Sequence, residues 1–195
     1  FTGQNYTLPD GYDIYHGIDV SKWTGVIDWN AVKTDGVDFA FLRVGYRATS
    51  SGVLYEDTNF PTYSTGASSA GIPIGAYVFS QALNTAEAVE EAQFALDRVK
   101  TANIQLPIVM DYEYSDGSGR LDQAGLSQSE KTANVLAFCN TIRDAGYEPM
   151  LYATKSFLTN DVNRTQIQNS GVKIWLAHYT TSTSFSNYDY WQYSR

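Results

Sequence analysis

Apolar runs of six to nine residues alternate along this chain with longer stretches of helical spacing. H-G-I-D-V-S (16 to 21), F-A-F-L-R-V (39 to 44), I-P-I-G-A-Y-V-F-S (72 to 80) and L-P-I-V-M-D-Y-E-Y (106 to 114) read as strands. So do E-P-M-L-Y-A-T (148 to 154), V-K-I-W-L-A-H-Y-T (172 to 180) and Y-D-Y-W-Q-Y-S (188 to 194). D-W-N-A-V-K-T-D-G (28 to 36) predicts a short helix capped by Asp28 and stopped by Gly36. Residues 59 to 71 and 127 to 146 predict two more helices, each ending in A-G or D-A-G. In residues 85 to 99, Ala88, Glu91, Ala92, Ala95, Leu96 and Val99 recur at helical spacing.

Strands this apolar, separated by helices, predict an α/β fold with a parallel sheet covered by helices. An open doubly wound sheet and a closed barrel both fit the alternation. The chain has neither a Gly-x-Gly-x-x-Gly turn nor a Gly-Lys-Ser/Thr phosphate loop, which favours a TIM-like (β/α) barrel with reduced helices between its last strands. In a barrel, the carboxyl ends of the strands carry the chemistry.

One strand end is unusual. In V-M-D-Y-E-Y, alternation puts Val109, Asp111 and Glu113 on one face and Ile108, Met110 and Tyr112 on the other. If Val109 packs inside the barrel, Asp111 and Glu113 rise into its mouth with backbones about 6.6 Å apart, at roughly 3.3 Å per residue. Two carboxylates so close and half removed from water do not both ionise easily, so the drier one keeps its proton toward neutrality. A proton donor beside an anion is what acid-catalysed glycosidic cleavage requires. Asp19, on the face opposite Ile18 and Val20, adds a third carboxylate. Trp23, Tyr77, Phe79, Tyr152, Trp175, Tyr179 and Trp191 gather at the same level, where aromatic faces can stack on sugar rings.

Composition narrows the alternatives. At 195 residues the chain supports one core, and a net charge of −8 with scattered Lys and Arg argues against nucleic acid as a partner. No apolar stretch approaches the roughly 18 residues of a spanning helix, so no membrane partner is expected. Cys139 is a lone cysteine in a helical run and reads as a core residue. His16 and His178 are too isolated for a metal cluster, and the Gly-x-Ser-x-Gly elbow is missing. D-Y-E-Y-S-D-G departs from a calcium loop because its glycine comes one place late and no helix precedes it. No metal or cofactor is expected.

Six segments in order, G-I-D-V-S-K-W-T-G-V-I-D-W-N-A-V-K (17 to 33), G-V-D-F-A-F-L-R-V (36 to 44), G-I-P-I-G-A-Y-V-F-S (71 to 80), L-P-I-V-M-D-Y-E-Y (106 to 114), I-W-L-A-H-Y (174 to 179) and Y-W-Q-Y-S (190 to 194), resemble the glycoside hydrolase family 25 lysozymes. The resemblance implies a barrel that cleaves the β-1,4 bond between N-acetylmuramic acid and N-acetylglucosamine in peptidoglycan. It implies Glu113 as general acid, Asp111 as the stabilising or orienting carboxylate and Asp19 as the acid of the first strand. Tyr77, Phe79, Tyr152, Trp175, Tyr179 and Trp191 are the expected substrate contacts. Retention and inversion both remain open.

The chain departs from the family where many members carry His: here stand Lys22, Trp23 and Val78. Members also continue past W-Q-Y-S to a further strand bearing an Asp, so the final strand of the barrel is expected to be missing from residues 16 to 195. Residues 1 to 15 read as an N-terminal arm or linker. The resulting expectation is a secreted, monomeric muramidase acting on the bacterial cell wall. A non-catalytic glycan-binding module and a chitinase-type barrel glycosidase are the alternatives.

Overall fold

Residues 13–194 are described by the structure, a computed structural model. Its strands are β1 (Gly17–Val20), β2 (Phe39–Arg47), β3 (Leu54–Glu56), β4 (Ile74–Ser80), β5 (Ile104–Tyr112), β6 (Pro149–Thr154), β7 (Lys173–Ala177) and β8 (Tyr190–Gln192). Its helices are α1 (Trp29–Thr34), α2 (Phe60–Ser69), α3 (Thr85–Val99), α4 (Arg120–Gln123), α5 (Gln128–Asp144), α6 (Lys155–Asn160) and α7 (Arg164–Asn169). The sheet runs β1-β2-β4-β5-β6-β7-β8 with every neighbour parallel, and β3 adds antiparallel to β2.

The seven strands expected from sequence are thus the seven of the parallel path, in chain order. Alternation along them fixes two cores. One face carries Leu42, Ala76, Val78, Ile108, Met110, Leu151 and Ile174 against α3 and α5, whose buried faces include Ala88, Ala92, Val135 and Phe138. The opposite face curls over a second cluster of Phe41, Val109, Met150, Tyr152, Trp175 and Ala177. Burying each large side chain is worth roughly 1.5–3 kcal/mol, so a sheet apolar on both faces is driven to curl over its inner face. Gly75 makes room inside: a Cβ there would come within 2.3 Å of the Phe41 ring.

The curled parallel sheet fits a TIM-like barrel in part. Among the described residues no backbone ladder joins β8 to β1, and a groove of about 1130 Å³ runs between them, lined by Ile18, Phe39, Trp175, Tyr190 and Tyr193 among others. The expected N-terminal arm falls mostly on residues 1 to 12, outside the described ones.

Three features differ from the sequence expectation. β3 has no apolar alternation of its own; it forms because Gly52, at φ +71°, turns the chain back onto β2 and Gly45 leaves room for the Tyr55 carbonyl. Two six-residue helices, α6 and α7, lie between β6 and β7, where little helix was expected. They are too short for the hydrophobic period to register, and their signals are the caps Thr154 and Asn163. β5 ends at Tyr112 and β7 at Ala177, so Glu113 and Tyr179 sit in the loops just beyond their strands.

Candidate active site

The carboxyl end of β5 delivers the acids. Val109 belongs to the inner cluster while Ile108, Met110 and Tyr112 belong to the outer one, so Asp111 points inward, as alternation predicts. It pairs in register with Phe79 on one side and Tyr152 on the other. Asp111 is 8% exposed, and its Oδ1 has no hydrogen-bond partner among the described residues. Burial, then the neighbouring charges of Glu113 and Asp19, hold its carboxyl well above the usual range, with Arg43 pulling the other way. The drier acid is therefore Asp111, and Glu113 is the half-buried one. Over a wide span of pH the pair carries fewer than two charges.

Asp19 joins them from β1. It keeps a solvent-exposed edge at the mouth, yet desolvation by the surrounding walls raises its carboxyl, opposed by a hydrogen bond from Gln192. Tyr77, on the inner face of β4, has its hydroxyl pushed above the ordinary phenol range by burial and by the charges of Asp19 and Asp111. Tyr152 is shifted the same way by burial, Asp111 and Glu113, so both phenols stay protonated as donors. These mutual effects put Asp19, Asp111, Glu113, Tyr77 and Tyr152 within electrostatic reach of one another at the carboxyl ends of their strands.

Gln192 ties the mouth together. Its Oε1 accepts from Tyr152 OH at 2.6 Å and from Tyr179 OH at 3.0 Å, and its Nε2 donates to Asp19 Oδ2 at 2.8 Å. One amide thereby spans β6, the exit of β7, β8 and β1, crossing the gap that the backbone leaves open. We expect Gln192→Leu, which removes all three bonds, to lower stability by about 1–3 kcal/mol. It should also cut kcat/KM on the substrate about tenfold, because Asp19 loses the Gln192 donor and two tyrosines lose their acceptor. Thermal unfolding and steady-state kinetics on the same variant check both halves.

Arg43 and Asp57 complete the wall. Arg43 Nε donates to Asp57 Oδ2 at 2.8 Å, while Arg43 Nη2 is buried without a partner among the described residues. Behind Glu113, the buried Gln81 side chain donates Nε2 to the Glu113 carbonyl at 3.0 Å, and its Oε1 accepts from the Leu121 amide at 3.4 Å. The chain thus leaves β5 on a fixed course.

Of the residues expected from sequence, Asp19, Asp111, Glu113, Tyr77, Tyr152 and Tyr179 come together, and Phe79 stands beside Asp111 on the same face as Tyr77. Trp175 is 7% exposed and packs edge-on to Tyr152 at 4.7 Å, an interior support beneath that ring. Trp191 lines the groove between β8 and β1 together with Asp19. On β8 it faces opposite to Tyr190 and Gln192, packs with the outer cluster and donates Nε1 to the His178 carbonyl at 2.8 Å. The same alternation brings Gln192 to Tyr152 and Asp19. Trp23, 80% exposed, stands on the single turn after β1. Sequence reading missed Gln192, Arg43 and Gln81. Arg43 alone had a local signal, a cation on the inner face of β2 after Phe39 and Phe41.

No group of three or more metal-ligating side chains occurs among the described residues. A cluster of acids and phenols at the carboxyl ends of a curled parallel sheet is an enzyme-type site. Residues 18–195 match the family of glycosyl hydrolases family 25, and the chain belongs to that family. It is 30% identical over 190 residues to Lysozyme M1 of Streptomyces globisporus, covering 91% of this chain and 61% of that protein. Among solved structures, it is similar to the modular autolysin LytC from Streptococcus pneumoniae, with 25% identity, a TM-score of 0.78, and coverage of 91% of this chain and 42% of that one. The bacterial lysozyme from Streptomyces coelicolor gives 28% identity, a TM-score of 0.72, and coverage of 92% and 83%. The chain spans 61% of Lysozyme M1 and 45% of the autolytic lysozyme of Clostridium acetobutylicum, about half the length of such curated relatives.

Proposed function

We propose that this chain is a muramidase that hydrolyses the β-1,4 bond between N-acetylmuramic acid and N-acetylglucosamine in bacterial peptidoglycan. The observation that carries the reading is a linked set of groups at the strand ends: Asp111 pairs in register with Tyr152, Gln192 joins the Tyr152 hydroxyl to Asp19, and Glu113 follows two residues after Asp111. It is supported by membership of family 25 and by the 26% identity to LytC in complex with a synthetic peptidoglycan ligand. Asp111 and Glu113 share one proton, which burial holds on the drier Asp111 in the free protein; in this reading it passes to Glu113, half-buried at the rim, which gives it to the leaving oxygen, and Asp111 is left as the carboxylate that steadies an oxocarbenium-like centre.

In this reading the curled sheet is a TIM-like barrel, residues 16–195 form the catalytic unit preceded by an arm at 1–15, and the chain works as a monomer on the wall outside the cell that makes it. No helix among the described residues is long and apolar enough to cross a membrane. The test is a digest: purified peptidoglycan incubated with the protein should yield new reducing-end muramic acid. Reducing-end N-acetylglucosamine instead, or turnover of chitin oligomers at a comparable rate, would overturn the assignment. Binding with no new ends would leave a glycan-binding module in its place.

A further inference from the structure

The turn after β1 holds a cation that the mouth chemistry above does not use. Lys22 Nζ lies 5.1 Å from the Trp23 ring and 5.0 Å from the Tyr46 ring, and donates to Tyr46 OH at 3.3 Å. Lys22 forms no ion pair among the described residues, although the chain carries a net charge of −8. The nearby carboxylate, Asp57, is already committed: its Oδ2 accepts from the Lys22 backbone amide at 2.9 Å and from Arg43 Nε at 2.8 Å. The ammonium is thus displayed on an aromatic shelf, not neutralised.

The shelf adjoins the mouth. Arg43 Cζ sits 5.2 Å from the same Tyr46 ring that carries Lys22, and Arg43 acts electrostatically on Asp111 and Tyr77. Tyr46 stacks on Tyr55 at 5.5 Å and 25°, and Tyr55 and Trp23 are 47% and 80% exposed. Open ring faces beside a compact, unpaired ammonium suit a ligand that is part sugar and part anion. Asp19, Asp111 and Glu113 make the neighbouring opening acidic, so an anionic substrate needs a cation at its edge to be held in place.

We propose that Lys22, on the shelf of Trp23, Tyr46 and Tyr55, is a recognition site for a carboxylate carried by the muramoyl substituent of the glycan. The proposal rests on the muramidase reading. That carboxylate has two sources, the lactyl group of a muramoyl residue stripped of its peptide and the acidic residues of an intact stem peptide.

The test compares the wild type with Lys22→Gln and Lys22→Arg on three substrates: intact strands, strands stripped of stems by an amidase, and intact strands whose carboxyls have been amidated. Calorimetric binding and reducing-end kinetics are read in parallel. On a substrate bearing the recognised carboxylate, Lys22→Gln should weaken binding and raise KM about five- to tenfold with a much smaller change in kcat, and Lys22→Arg should restore most of it. The substrate that shows the effect, stripped or intact, identifies the source. Where the stem peptide is the source, amidation should cost the wild type a similar factor and leave Lys22→Gln with little further to lose; where the lactyl group is the source, amidated and unmodified intact strands should behave alike and the effect should appear on stripped strands alone. Equal losses on all three substrates, or none on any, would overturn the proposal. Carboxylate-dependent binding through Lys22 without release of reducing ends would overturn the muramidase reading and leave the Lys22 assignment standing.

Discussion

Glu113→Gln should abolish wall lysis while leaving the protein at least as stable as the wild type. The amide keeps the shape of the side chain but has no proton to give to a departing sugar oxygen, and loss of a positioned acid costs on the order of 10²–10⁴ in rate. The stability half follows from Asp111. Its carboxyl sits well above its ordinary value, partly because of the Glu113 charge. A carboxyl whose folded pKa is raised above its unfolded value destabilises the folded state as pH rises past the unfolded value. Removing the Glu113 charge relieves part of that penalty, and the Gln81 bond goes to the Glu113 backbone carbonyl, which the substitution leaves in place. Release of reducing-end muramic acid and thermal unfolding near neutral pH check the two halves. A variant that lyses walls at the wild-type rate rejects the acid assignment; one that loses lysis together with several degrees of stability makes Glu113 a structural residue.

The acids of this site were legible in the sequence because a strand has only two faces. Once Val109 is assigned to the interior, Asp111 must follow it, and Asp19 follows from Ile18 and Val20 by the same rule. The same rule separates Trp191, which packs with the outer cluster, from Tyr190 and Gln192 on either side of it. The part played by Gln192 was invisible to it. Its role is to reach Tyr152, Tyr179 and Asp19 from the far end of the chain, and the contact with Asp19 joins positions 173 residues apart. Nothing local distinguishes such a glutamine from a solvated one. Nor does local pattern reveal which of two adjacent acids is drier, because that depends on the walls that β4 and β6 raise around Asp111.

The helical pattern of α3 contained a second misfit, Glu91 at an otherwise apolar position, and the fold gives it a partner. Glu91 is fully buried and accepts from Arg47 Nε at 2.6 Å. Arg47, itself 4% exposed, also pairs with Glu90 at 2.8 Å and donates to the carbonyls of Gly52 and Glu87. The pair backs the active site, since the Gln81 amide reaches Glu91 Oε1 at 3.4 Å while the Gln81 side chain holds the Glu113 carbonyl.

Arg47→Met should therefore be the most destabilising single change considered, because it strands a buried carboxylate; breaking such a pair from one side costs about 3–5 kcal/mol. The loss should depend on pH in a definite direction. Burial pushes Glu91 up to about 7 from an ordinary 4.5 even with Arg47 present. Its folded pKa is thus above its unfolded one, so stability is greatest when Glu91 is protonated and falls as pH rises from about 4.5 toward the folded value. Without Arg47 the folded value rises further, and the deficit of the variant should be largest in alkaline buffer and shrink as the pH is lowered toward about 5. Urea unfolding of the two proteins at about pH 8 and about pH 5 measures this directly. Adding Glu91→Leu to Arg47→Met should recover most of the loss, since an apolar replacement of both partners removes the stranded charge. A deficit equal at both pH values, and not recovered in the double variant, would mean that Arg47 acts through its bonds to the Gly52 and Glu87 carbonyls and not by neutralising Glu91.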